Sequence, residues 1–275
     1  MSDAQKGVIY LVGAGPGDPE LLTLRAASLL ASADIIFHDD LVPQAILDCA
    51  HAQAIIISVG KRCGKKRITQ EEIHALMIHA AQSGQSVVRL KSGDPLVFGR
   101  AAEEMEALAA ANIPFHVVPG ITAAFAAAAT LHTSLTDRRT ASKIIFATGR
   151  QATHPQRKPN TTNQDDAAVW QGALPEDATL IVYMPGRDYR ALASNLLQQG
   201  LLRDMPCIAV SCAGQPEQTI DATTLEHLAE LEAGPAPVLL LIGRPMAIAH
   251  ERNAAVGATA NGKIAATLHA LHVKL

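Results

Sequence analysis

Short apolar runs that alternate with helical stretches constrain the first half of this chain more than any other feature. The runs are Val8–Val12, Ile35–Phe37, Ile55–Val59, Val87–Leu90 and Phe115–Val118. Between most of them lie stretches with helical spacing. These are Leu24–Ala31 behind a Thr23 cap, Pro43–Cys49, Thr69–Gln82 with Glu71 and Glu72 in its first turn, and Arg100–Ala111. Runs this short, continuously apolar and rich in Val and Ile, suit strands buried on both faces. Strand and helix in alternation predict a parallel α/β sheet. That unit is expected to end near Pro119–Gly120. An Ala-rich helix at 121–131 then leads to a second series, with strands at Lys143–Thr148, Leu180–Met184, Cys207–Ser211 and Val238–Ile242. The chain therefore reads as two α/β domains, 1–120 and 121–246, with an Ala-rich tail at 247–275. The stretch 150–166 is polar and rich in Pro, Asn and Thr, and is predicted to be a surface loop.

Composition narrows the function classes. With 48% hydrophobic residues, the 275-residue chain can fill two cores. A net charge of −3 and only 3% aromatics argue against a nucleic-acid binder, which needs basic surface and stacking platforms. No apolar run reaches the roughly 18–20 residues of a membrane span. The opening MSDAQKG lacks a charged-then-apolar leader, so a cytoplasmic location is expected. Cys49, Cys63, Cys207 and Cys212 form no C-x-x-C pair and read as reduced thiols. His74 and His79 stand five apart, wrong for one helical face, and no H-E-x-x-H occurs, so no metal is expected.

Gly13-Ala-Gly15-Pro-Gly17-Asp-Pro closes the first strand and invites a dinucleotide-binding reading. Three details oppose it. Asp18 occupies the place of the third glycine, it would set a negative charge beside a pyrophosphate, and Pro16 and Pro19 each remove an N–H that such a site uses. A second small-residue loop, Lys91-Ser92-Gly93-Asp94-Pro95, continues into Val97-Phe98-Gly99-Arg100, and a third, Val118-Pro119-Gly120, follows the fifth strand. All three follow parallel strands, at the edge where open α/β sheets bind ligands. Bare backbone of this kind suits a ligand with amino-acid and nucleoside groups and no phosphate. A rigid turn with no ligand is the alternative.

Between positions 61 and 100, eight Lys and Arg stand against three carboxylates on an otherwise acidic chain. The set is Lys61, Arg62, Lys65, Lys66, Arg67, Arg89, Lys91 and Arg100; Arg138, Arg139 and Lys143 form a second group. Placed beside the glycine loops, these cations favour an anionic substrate, with arginines gripping carboxylates in bidentate fashion.

Taken together, VGAGPGDPELLTLRA (12–26), DDLV (39–42), VGKR (59–62), VVRLKSGDPLVFGR (87–100), IPFHVVPGITAA (113–124), SLTDR (134–138) and YM (183–184) carry a family likeness. The chain resembles the uroporphyrinogen-III C-methyltransferases of the tetrapyrrole methylase superfamily, in their stand-alone form. The resemblance implies a tetrapyrrole methylase-like fold of two α/β domains with a ligand cleft between them, and a homodimer. It implies S-adenosylmethionine as cofactor, leaving as S-adenosylhomocysteine, and a tetrapyrrole substrate with several carboxylates. Residues matching the family's cofactor contacts are Pro16, Ser92, Gly93, Asp94, Val97, Thr122 and Ala123, joined by Met184 and Ala213 from the second domain. Asp39 and Lys61 match a proton acceptor and a proton donor; Arg100, Glu103 and Arg138 match positions tied to substrate and catalysis. The chain departs from the family at His38 and Asp40, where Tyr and Arg are usual, at Ser92 and Asp137, and at Arg187. The reaction implied is methylation of two pyrrole carbons of uroporphyrinogen III to give precorrin-2, on the branch to sirohaem, cobalamin or haem d1. Asp39 or Glu103 would take the proton released, and Glu103 equally suits a helix-face partner for Arg100, three residues earlier. A later corrin intermediate as substrate, or cofactor binding without turnover, are the alternatives.

Overall fold

The computed structural model describes residues 3–60, 68–149, 174–186 and 188–252. The chain divides into two compact units, Met1–Ala126 and Ala127–Leu275.

In the first unit, strands β1 (Ile9–Gly13), β2 (Ile35–His38), β3 (Ile55–Ser58), β4 (Val87–Lys91) and β5 (Phe115–Val118) form one sheet in the order β3-β2-β4-β1-β5. Every pairing is parallel, as the alternation with helices predicts. Period-two side chains sort the strands onto two faces. Tyr10, Val12, Ile36, Val88 and Leu90 pack with Leu29 and Leu30 of α1 (Leu24–Leu30) and with Ile46 and Leu47 of α2 (Gln44–Leu47). Ile9, Leu11, Phe37 and Val87 point the other way, toward Ile73 and Met77 of α3 (Gln70–Gln82) and Leu108 of α4 (Ala101–Ala110). On β4 the residues that share this second face are Arg89 and Lys91, charged groups aimed into a core.

Caps set the helix starts where the sequence places them. Thr23 Oγ accepts from Ala26 N at 3.1 Å. Thr69 and Glu72 form a full capping box, with Thr69 N donating to Glu72 Oε2 at 2.7 Å.

The second unit holds a mixed sheet, β6-β7-β10-β8-β9. Its strands are β6 (Lys143–Thr148), β7 (Ala178–Tyr183), β8 (Pro206–Ser211), β9 (Thr219–Thr224) and β10 (Val238–Ile242). Only β6 and β7 run parallel; β10 lies antiparallel between β7 and β8, and β9 turns back on β8. Two elements go beyond the sequence reading. Helix α6 (Tyr189–Gln198), the next after the Ala-rich α5 (Ala123–Thr130), buries Tyr189, Leu192, Ala193 and Leu196 and is capped by Asp188, whose Oδ1 accepts from Ala191 N at 3.1 Å. Strand β9, TIDATT, has none of the continuous apolar character of its neighbours because it is an edge strand, half-exposed along most of its length. The 150–166 stretch, and the tail from residue 253 on, lie outside the described residues.

Candidate functional site

The three glycine loops leave the carboxyl ends of β4, β1 and β5, which are neighbours in the sheet. Their backbones touch. Gly15 N donates to Gly93 O at 3.2 Å, Gly93 N returns a bond to Gly15 O at 2.8 Å, and Ala14 N donates to Lys91 O at 2.8 Å. Asp94 fastens the third loop, its Oδ2 accepting from Gly120 N at 3.0 Å while its Oδ1 accepts from Leu96 N at 2.8 Å. A Cβ on Gly13 would sit 2.6 Å from Gly120 Cα and 2.7 Å from Gly93 O; one on Gly120 would sit 2.3 Å from Gly93 O. Only glycine permits this approach. Gly93 adds a left-handed backbone, φ 70°, and the same region holds two residues that adopt it with a side chain, Phe98 (φ 52°) and Arg100 (φ 57°).

Pro16 is buried in the first loop, Thr122 is buried beyond the third, and Ser92, Val97 and Ala123 are half-buried beside them. Asp18 turns away from this cradle: its Oδ1 accepts from Glu20 N at 2.9 Å and caps the 3-10 turn Pro19–Leu21. The residue that spoils the dinucleotide pattern thus has a local task.

Asp39, directly after β2, is anchored from beneath. Arg89 Nη2 grips Asp39 Oδ1, and Arg89 Nε donates to Glu104 Oε1 at 3.0 Å. Lys91 Nζ also donates to Glu104 Oε1, at 2.9 Å, and Gln70 Nε2 reaches the same atom at 3.3 Å. Arg89, Lys91 and Glu104 are all but inaccessible, whereas the Asp39 side chain is 34% exposed. Burial works against the Arg89 charge, but Asp39 and Glu104 outweigh it and keep the guanidinium above its ordinary value. For Lys91 the balance falls the other way: burial, then the nearby Arg89, hold the ammonium below its usual range despite Glu104. For two members of the basic set this corrects the reading as a grip on an anionic substrate. Arg89 and Lys91 serve internal carboxylates. Of the rest, Arg100 lies at the surface, and Lys61, with the other cations of 61–67, falls outside the described residues. The signal was present in the sequence: two cations at alternate positions of a buried strand share a face, and a buried charge requires a partner.

Arg100 and Glu103 form the i,i+3 pair at the start of α4, Arg100 Nε to Glu103 Oε1 at 2.9 Å, both exposed. That bond with Arg100 holds the Glu103 carboxyl below its usual range. Arg138 is exposed in the turn where Asp137 and Ala141 exchange backbone bonds, while Asp137 is occupied by Arg139. Among the described residues no carboxylate pairs with Arg138. In the second unit, Met184 follows β7 in a left-handed conformation (φ 49°) and buried Ala213 follows β8. Both stand at the carboxyl edge of their own sheet. Gly149, directly after β6, lies so close to Met184 that a Cβ there would be 2.2 Å from Met184 O.

A parallel sheet that gathers glycine loops over a buried charge chain defines an α/β ligand-binding protein of the strand-end type. Residues 8–229 match the family model described as tetrapyrrole (corrin/porphyrin) methylases, and the chain belongs to that family. It is 40% identical over 254 residues to a uroporphyrinogen-III C-methyltransferase of Paracoccus denitrificans, covering 90% of this chain and 84% of that one. It is 42% identical over 245 residues to the S-adenosyl-L-methionine-dependent uroporphyrinogen III methyltransferase, chloroplastic, of Arabidopsis thaliana, covering 88% of this chain but only 64% of the plant protein. Among solved structures, uroporphyrin-III C-methyl transferase of Thermus thermophilus complexed with S-adenyl homocysteine superposes with a TM-score of 0.69 at 33% identity, covering 87% and 93% of the two chains. Among the described residues no helix is long and apolar enough to cross a membrane.

Proposed function

We propose that the chain transfers methyl groups from S-adenosylmethionine to two pyrrole carbons of uroporphyrinogen III, giving precorrin-2. The observation that carries the proposal is the cradle of Gly13, Gly93 and Gly120, set beside an Asp39 held by a buried arginine. The cradle suits the cofactor: Gly13, Gly93 and Gly120 let the three loops close main chain on main chain, and Pro16, Ser92, Val97, Thr122 and Ala123 beside them are small, apolar or hydroxyl-bearing. Pro16, Ser92, Gly93, Asp94, Val97, Thr122 and Ala123 would hold the cofactor in the first unit; for Met184 and Ala213 the family resemblance alone supports a cofactor contact. When bound, the cofactor supplies an electrophilic methyl on a sulfonium centre.

The residues of the chain then have three tasks. The loops fix one reactant and exclude water, which supplies much of the rate gain in a transfer between two preformed partners. Arg138 and Arg100 meet substrate carboxylates; Arg138 has no carboxylate among the described residues to release first, whereas Arg100 must exchange Glu103 for the substrate. Asp39 accepts the proton lost as each methylated ring regains neutrality. Its Oδ1 is held by Arg89, and Oδ2 has no partner among the described residues. Glu103, tied to Arg100 and held below its usual range, is the weaker candidate for that proton. For Lys61, outside the described residues, the family resemblance alone supports a role as proton donor.

An anaerobic assay with uroporphyrinogen III and methyl-labelled cofactor tests the reading. Two labelled methyls per product are expected. Cofactor binding without transfer to this substrate overturns it.

A further inference from the structure

Glu104 is completely buried, and no step proposed above uses it. One of its oxygens, Oε1, collects Arg89, Lys91 and Gln70, while Oε2 is buried without a partner among the described residues. A carboxylate so placed is a costly way to fill a core, since an apolar side chain of similar size would serve packing as well. Its value lies in where its donors lead. Arg89 presents Nε to Glu104 and Nη2 to Asp39, and a planar guanidinium passes orientation rigidly from one edge to the other. Lys91 is the residue before Ser92, and its carbonyl accepts from Ala14 N, so its main chain belongs to the cradle. One carboxylate thus sits behind both the proton acceptor and the cofactor loops.

We propose that Glu104 is the positioning residue of this site, setting the plane of Arg89 and through it the rotamer of Asp39. The inference rests on the reading of Asp39 as proton acceptor. A double-variant cycle tests it: Glu104→Gln is measured in the wild-type and Asp39→Asn backgrounds, with turnover, KM and cofactor affinity determined for each. In the wild-type background Glu104→Gln is expected to lower kcat at least tenfold, with KM and cofactor affinity within twofold. In the Asp39→Asn background the same change is expected to cost less than twofold, because the group it positions is gone. Equal losses in the two backgrounds would show a structural role and overturn the proposal, as would wild-type kcat in Glu104→Gln. Asp39→Asn with wild-type turnover overturns the Asp39 reading itself, and the positioning role with it. If Glu104→Gln does not fold, Glu104→Asp keeps the charge, shortens the reach and is judged by the same criteria.

Discussion

Asp39 takes its backbone position from β2 and its side-chain direction from Arg89, so its chemistry can be probed with little disturbance to the sheet. Asp39→Asn keeps the shape and removes the proton acceptor; turnover should fall by about 10²- to 10⁴-fold, the usual scale for a general base, with cofactor affinity unchanged by calorimetry. Arg138→Ala should raise KM for the substrate and leave cofactor affinity and thermal stability as they are, because its side chain stands in solvent with no internal carboxylate to abandon. At this scale the sequence was readable wherever a residue's environment is local. Asp18 could be excluded as a phosphate neighbour from its position alone, and the structure adds only the cap that it makes. Arg89 and Lys91 were misread because their partner Glu104 lies on another element, and a count of charges within a window cannot see across a core.

Between elements, the β2–β4 pairing is pinned at its amino end by Asp34 and Ser86. Ser86 N and Oγ both donate to Asp34 Oδ2 at 2.6 Å, and Lys6 Nζ adds a bond to Asp34 Oδ1. The bond from Lys6, then those from Ser86, lower the Asp34 carboxyl from its ordinary 3.8 to about 2. A depressed folded-state value means that the stabilisation is complete above pH 3.8 and disappears as pH falls through 2. Asp34→Asn should therefore lower stability near neutrality by about 1–2 kcal/mol, the scale of a charge-assisted hydrogen bond, and flatten the loss of stability between pH 4 and 2 in acid titrations followed by circular dichroism. The loops respond to a different change. Gly13→Ala should cut cofactor affinity at least tenfold, since its Cβ would meet only main-chain atoms of the other two loops. Helix and strand positions in the first unit were legible because each element is apolar on a face that its period exposes to view. Helix α6 carries the same spacing at Tyr189, Leu192, Ala193 and Leu196, and was readable in principle. Strand β9 was not: an edge strand of Thr, Asp and Ala owes its shape to the backbone of β8, which supplies the hydrogen bonds that its own side chains do not announce.

For the molecule as a whole, a homodimer is expected from the family resemblance, and light scattering on the eluting protein should return about twice the 29.0 kDa of the chain. Four strands of the second sheet were visible as a second series of apolar stretches, but their directions were not. Its mixed direction depends on β10 entering between β7 and β8, a choice made by long-range pairing that no local pattern encodes. The meeting of Gly13, Gly93 and Gly120 has a further consequence, for the order in which the chain acquires its site. The first loop leaves the ribosome long before the third, so for much of synthesis it has nothing to close against. It can be completed only when β4 and β5 have both taken their places beside β1. The amide protons of Gly15, Gly93 and Gly120 should accordingly become shielded from solvent exchange together and late, and a nascent chain halted before Gly120 should bind no cofactor, however much of its sheet has formed.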